Sequence, residues 1–252
     1  MSIPILEHDP APTALIEPTR AIQPRDVPEH CVICFFREVI DKVVADHRTR
    51  LVATQRWEDG DHPVYETTHL DRRLAFFHPG VGAPLAAGLL EEVIALGCRK
   101  FIACGGCGVL EHGIAVGAPI IVTSAVRDEG VSYHYLPPGR EVIADETAII
   151  ALANTLDRRG TPYRRGKTWT TDAPYRETAA KIARRKDEGC IAVEMECAAL
   201  TAVARFRNVA FGQLLYGGDD LSGADHDARA GQSREQARER LFWLCADACL
   251  AL

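Results

Sequence analysis

Residues 191–200 read IAVEMECAAL. Ile191, Ala192 and Val193 look like a strand entering a core, and Ala198, Ala199 and Leu200 look like a helix leaving it. Between the two sit Glu194 and Glu196, flanking Met195. Buried charge is costly unless it is paired or hydrogen-bonded. Two glutamates at such a junction therefore ask for a reason.

Outward from this junction the chain alternates strands and helices. CVICFF (31–36) is an apolar strand followed by a helix to about Ala45. PVYETTHL and LAFFHPG, joined by Asp71-Arg72-Arg73, form a hairpin. Ala83-Pro84 opens a helix that Gly97 closes, in keeping with proline early and glycine late. KFIAC (100–104), PIIVTS (119–124), KTWTT, IAVEM and VAFGQLLY are further strands, and a long helix spans about 141 to 159. A last helix begins near Ser233, where Ser-x-x-Gln gives a capping-box signal. The alternation predicts a three-layer αβα fold. No linker, repeat or low-complexity run divides residues 31–252, so we expect one domain there, preceded by a proline-rich arm over residues 1–30.

Composition narrows the function. A chain of 252 residues with 47% hydrophobic content is an ordinary globular protein with a sizeable core. Its formal net charge of -6 and the absence of a Lys/Arg block argue against nucleic acid as a partner. No apolar run is long enough to span a membrane and the N-terminus lacks a signal-peptide core, which makes a cytoplasmic home the expectation. Nine cysteines include two C-x-x-C pairs, Cys31/Cys34 and Cys104/Cys107, but the pairs lie far outside zinc-ribbon spacing. Reduced core thiols are the better reading, and no metal site is expected.

Three glycine-rich segments suggest ligand contact. HPGVGAP (78–84) places Gly80 and Gly82 between a strand and a helix N-terminus, where free N–H groups can meet an anion. ACGGCG (103–108) suggests the same arrangement after the next strand. Neither matches a Walker loop or a dinucleotide fingerprint, which disfavours ATP and NAD. LLYGGDDLSG (214–223) ends an apolar strand in Asp219-Asp220, at the sheet edge where ligands collect. A carboxylate partly desolvated there suits general-acid work. The nearby Asp225-His226-Asp227 cluster lacks calcium-loop spacing and reads as solvated.

Taken in order, FHPGVGAP, KFIACGGCG, TTDAPY, VEMEC and GGDD resemble the nucleoside phosphorylase/nucleosidase superfamily, of the purine nucleoside phosphorylase and uridine phosphorylase type. The resemblance covers roughly residues 30 to 250, and VEMEC-A-A is its most specific part. It implies a central mixed, partly barrel-like sheet and cleavage of an N-glycosidic bond by phosphate, without a cofactor, in purine salvage. It also implies a homo-oligomer, dimer or hexamer. Glu196 would accept hydrogen bonds from the ribose hydroxyls, and Met195 would lie beneath the sugar with Val193 beside it. Tyr175 would line the base pocket, Trp169 would be core, and Asp219 rather than Asp220 would serve the leaving base. Glu194 would be structural.

The departures from the family pattern bear on the nucleophile. Ala103 stands where phosphorylases carry an arginine, and Gly106 where they carry Ser or Thr. Arg37, Gly82, Gly105 and Gly106 are what remains for phosphate, with Arg50 or Arg56 reaching from a second subunit. If Glu38 rather than Arg37 holds the position after the first strand, the resemblance shifts to nucleosidases that use water. A binding protein that lost phosphorolysis is the third reading.

Overall fold

The computed structural model describes residues 3–252. Its strands are β1 (His30–Cys34), β2 (Arg50–Trp57), β3 (Gly60–His69), β4 (Arg72–Phe77), β5 (Lys100–Val109), β6 (Pro119–Asp128), β7 (Glu141–Ile143), β8 (Arg164–Thr171), β9 (Cys190–Glu194) and β10 (Ala210–Asp220). The helices are α1 (Pro18–Ala21), α2 (Arg37–Val44), α3 (Ala83–Leu96), α4 (Ser132–Tyr135), α5 (Glu146–Arg158), α6 (Ala179–Asp187), α7 (Cys197–Phe206) and α8 (Glu235–Leu250).

All ten strands join one mixed sheet, ordered β10-β6-β8-β9-β5-β1-β4-β3-β2 with β7 on β6. A further parallel pairing of β10 with β5 closes β5, β9, β8, β6 and β10 into a five-stranded barrel. The remaining strands extend from β5 as an open wing. The expected α/β architecture with a partly barrel-like sheet is therefore the observed one.

The apolar runs of β1, β4 and β5 follow from burial on both faces. Val32, Cys34, Leu74, Phe76, Ile102 and Cys104 pack with α2, α5 and α8 on one side. Their alternates Cys31, Ile33, Ala75, Phe77, Phe101 and Ala103 pack with α3 and α7 on the other. This period of two also separates the C-x-x-C residues. Cys31 and Cys34, three apart in an extended strand, belong to opposite core faces. All nine cysteines are free and buried, and burial pushes the thiols of Cys31, Cys34, Cys104 and Cys245 up.

Three expectations need correction. β5 does not stop at Cys104 but runs through Gly105, Gly106 and Gly108, paired with β10, so ACGGCG is strand and not the entry to a helix. The long helix starts at Glu146, capped by Asp145 accepting from the Thr147 N–H at 2.8 Å, while residues 141–143 form β7. At α8 the cap position falls on Arg234 and no side chain caps it, so the Ser233 capping box does not form. The proline-rich arm contains a 3₁₀ turn (Pro4–Leu6) and the short α1. It is pinned to the body by Arg207, which pairs with Glu17 at 2.7 Å and Glu91 at 2.6 Å. The edge strand β2 turns few apolar side chains inward, and that is why its pattern was silent.

Close approach of backbone to backbone positions the strand that carries Asp219. Gly217 exchanges hydrogen bonds with the 117–118 loop, and a Cβ there would lie 2.8 Å from the Ala115 carbonyl oxygen. Because that neighbour is main chain, Gly217→Ala is expected to lower stability by about 1–3 kcal/mol. Urea unfolding with an unchanged slope would measure it.

Candidate active site

The junction that opened the sequence reading is built around Glu194. Its Oε2 accepts the backbone N–H groups of Glu196 (2.7 Å) and Cys197 (2.6 Å), the first donors of α7. Its Oε1 accepts from Thr170 Oγ1 at 2.6 Å and from Thr168 Oγ1 at 3.4 Å, both on the neighbouring β8. Thr170 Oγ1 in turn accepts the Ala198 N–H at 3.0 Å. A helix start leaves unpaired N–H groups and favours negative charge, so a carboxylate is well placed here. Glu194 is thus the cap of α7.

Glu196 has a different environment. It is buried, and one oxygen accepts the Gly82 N–H at 2.6 Å. Gly82 adopts φ 94°, a conformation that favours glycine and turns its N–H toward the carboxylate. Burial first, and the neighbouring Glu194 charge second, push the Glu196 carboxyl up to about 8, against the pull of the Gly82 N–H. Burial pushes the Glu194 carboxyl up as well, against the pull of the Thr170 and Thr168 hydroxyls and the two backbone N–H groups.

A cavity of about 610 Å³ opens beside this junction, at the ends of β5, β9 and β10. Val193, Met195, Gly106 and Asp219 line it. Asp219 Oδ2 meets His226 Nε2 at 3.0 Å. Asp220, by contrast, is held by Arg229 at 2.7 Å and by the Ser222 N–H at 2.7 Å. The two aspartates are thereby separated, Asp219 toward the cavity and Asp220 into the loop. Tyr175 also borders the cavity, but it stands at the rim, 99% exposed. Trp169 is fully buried and donates to Asp128 at 2.9 Å.

The residues expected to serve phosphate are not gathered together. Of Arg37, Gly82, Gly105 and Gly106, only Gly106 lines the cavity. The Gly82 N–H is occupied by Glu196, Gly105 faces Phe35 and Leu215, and Arg37 is exposed on the first turn of α2. Arg50 pairs with Glu66 and Arg56 with Asp61.

Several cavity residues escaped the sequence reading. Tyr216, Arg234 and Arg238 line the wall, as does Glu177, whose carboxyl is pushed up to about 7 by burial and then by the Asp219 charge. His226, read as part of a solvated cluster, instead pairs with Asp219 while remaining half-exposed. Its place one loop after Asp219 was the available signal.

Residues 29–251 match the sequence profile of the phosphorylase superfamily. The match spans nearly the whole chain, and the protein belongs to that superfamily. It is 26% identical over 209 residues to a guanosine phosphorylase of Halorubrum lacusprofundi, covering 81% of this chain and 85% of that one. Over 96 residues it is 36% identical to a uridine phosphorylase of Thermococcus kodakarensis, covering 38% and 35% of the two chains. The fold is similar to that of the Toxoplasma gondii purine nucleoside phosphorylase in complex with immucillin-H, with TM-score 0.77, 20% identity, and coverage of 90% and 95%. It is also similar to the AMP nucleosidase of Bacteroides thetaiotaomicron, with TM-score 0.72, 19% identity, and coverage of 90% and 89%.

The cap around Glu194 is testable without turnover. Thr170→Val keeps the shape but leaves the carboxylate short of a donor and the buried Ala198 N–H without an acceptor. A loss of about 1–3 kcal/mol in urea unfolding is expected. An unchanged midpoint would show that the hydroxyl contributes nothing.

Proposed function

We propose that the protein is a nucleoside phosphorylase in which Glu196, Met195 and Asp219 handle the nucleoside. The reaction transfers the pentosyl group from the base nitrogen to an oxygen of inorganic phosphate, giving a free base and a pentose 1-phosphate. The observation that carries the reading is the junction itself: a carboxyl anchored on the Gly82 N–H, next to Met195, beside a cavity that Asp219 enters.

In this mechanism Glu196 accepts from the ribose 2′- and 3′-hydroxyls, which a two-oxygen acceptor suits. Met195 and Val193 form an adaptable apolar floor beneath the sugar. As the glycosidic bond lengthens, positive charge grows on the sugar and negative charge on the base. The carboxylates stabilise the first, and Asp219, with His226 against it, supplies a proton or hydrogen bond to the second. A purine leaving group benefits most from such a donor, which favours purine nucleosides and a role in purine salvage. Tyr175 would cover the base from the rim. The reading carries with it a single catalytic domain over 31–252, phosphate as co-substrate without a cofactor, a cytoplasmic home and assembly as a dimer or hexamer. Among the described residues no helix is long and apolar enough to cross a membrane.

One observation favours a second reading, hydrolysis by water. Ala103 is fully buried in a core face, so β5 offers no guanidinium for phosphate. Base release measured over purine and pyrimidine nucleosides, with and without phosphate, separates the two. Phosphate-dependent release favouring purines is expected, and full activity in phosphate-free buffer would sink the phosphorylase.

Asp219→Asn should reduce kcat for purine nucleosides roughly 100-fold, the scale of a lost general acid, with KM for phosphate little changed. The pH dependence of nucleoside binding has a fixed sign. Glu196 in the free protein holds its proton up to about pH 8, and the ribose hydroxyls favour its ionised form. Binding then releases a proton, so affinity rises with pH below about 8 and levels off above it. Calorimetry in buffers of different ionisation heat reads the proton directly, and Glu196→Gln should abolish the effect.

A further inference from the structure

We propose that Arg238 and Tyr216 form the phosphate-binding pair of this protein, supplying from α8 and β10 the guanidinium and hydroxyl that β5 lacks. The inference rests on the phosphorylase reading above and names the site of its second substrate.

The two residues stand where such a pair is needed. Tyr216 and Gly106 are register partners across the β10–β5 ladder, and a Cβ at Gly106 would lie 3.2 Å from the phenol Cε1, Cζ and Oη. The Tyr216 ring therefore fills the space that a side chain at position 106 would enter, and its hydroxyl lies beside the Gly106 backbone. That hydroxyl accepts from Arg238 Nε at 3.0 Å. Arg238 Nη1 donates to Glu38 Oε1 at 2.7 Å, and Nη2 is in no hydrogen bond among the described residues. Tyr216, Arg238, Gly106, Met195 and Asp219 line the same cavity, so an anion held by Arg238 shares its space with the sugar and base sites.

The guanidinium is fixed in orientation. Its Cζ lies 5.2 Å from the Phe36 ring centroid and 5.8 Å from that of Tyr216, and the two rings are 5.7 Å apart. An arginine resting against two adjacent rings and pinned at Nε presents its remaining N–H groups as a fork, the geometry that phosphate oxygens match. The Arg238 side chain keeps 31% of its exposure, enough to meet a ligand from solvent. Glu38 is the opposing charge. It sits on the first turn of α2 with its side chain 44% exposed, so it is free to swing into water when phosphate takes its place on Arg238. Glu38 thus acts as a competitor that the second substrate displaces.

This arrangement couples Gly106 to Arg238 through the Tyr216 ring. Glycine at 106 is what allows the phenol to lie against β5, and the phenol is what holds Arg238 over the cavity.

The test uses the full chain and inorganic phosphate at matched ionic strength, read by calorimetry and by the shift in thermal unfolding. Arg238→Gln should weaken phosphate binding roughly 10- to 100-fold, the scale of one lost charge-assisted contact. Nucleoside affinity should stay within about twofold, since the lost contact is not to the sugar or base. Glu38→Gln should tighten phosphate binding by about 3- to 10-fold by removing the competitor. Tyr216→Phe, which keeps the ring, should weaken it by a similar factor. If Arg238→Gln fails to fold, the opposite signs at Glu38 and Tyr216 still decide the matter, because a purely structural clamp would move stability and not phosphate affinity. Phosphate affinity unchanged in these variants, or no phosphate binding by the unaltered protein, overturns the assignment. Phosphate-dependent base release whose KM ignores Arg238 leaves the phosphorylase standing and removes this site. Arg238-dependent phosphate binding without phosphate-dependent release does the reverse.

Discussion

The buried carboxylate of Glu194 is the constraint around which this molecule is arranged. Left unsolvated, it would be untenable at the end of a core strand. It is tolerated because two helix N–H groups and two threonine hydroxyls converge on it. That convergence ties three elements together: β9, which carries it, α7, whose start it caps, and β8, whose Thr170 pairs with Glu194 in the strand register. The residue does more than hold the fold. Its charge is the second cause that raises the proton affinity of Glu196, and so a structural cap sets the state in which the neighbouring carboxyl waits for a ligand.

Much of the architecture was legible because strands buried on both faces leave a continuous apolar signature. β1, β4 and β5 announced themselves in this way, and α3 did so through Ala83-Pro84 and Gly97. Where the glycines of ACGGCG were taken for the end of a strand the reading failed. In β5 and β10 the glycines are not turns; they are the thin places where two strands of a small barrel approach side chains and loops from across it. Sequence does not show what lies opposite a glycine, so a close approach and a bend look alike. The capping box near Ser233 failed for a related reason, since the loop is tied to β10 by Asp227 and Arg229 and α8 begins only at Glu235.

The site divides along the same line. Glu194, Met195 and Glu196 stood out in the sequence because they lie within one contiguous segment. The family resemblance favoured Asp219 over Asp220, and Arg229 holds Asp220 apart from it. The polar wall opposite was half visible: Glu38 stood out beside Arg37 after the first strand, but Arg238, which it meets across 200 residues of chain, carries no local mark. Arg37 drew attention by its position after the first strand, yet the neighbour that faces the cavity's arginine is Glu38.

The empty place of the β5 arginine also follows from packing. Ala103 points into the core face shared with Ile33, Phe101, Leu200 and the helices α3 and α7, and it is fully buried. A guanidinium there would have to leave that face or open it, because an isolated buried charge is far more costly than the contacts it would replace. Alanine fits this closed face and leaves no cation on the strand. If the cavity takes phosphate, as proposed, its cation comes from an element whose side chain reaches over the sheet edge. α8 satisfies that demand. Its apolar residues Leu241, Phe242 and Cys245 pack on the opposite core face, while Arg238, near its start, projects past Phe36 to Tyr216. The same helix that seals one side of the sheet thus brings a guanidinium to its edge.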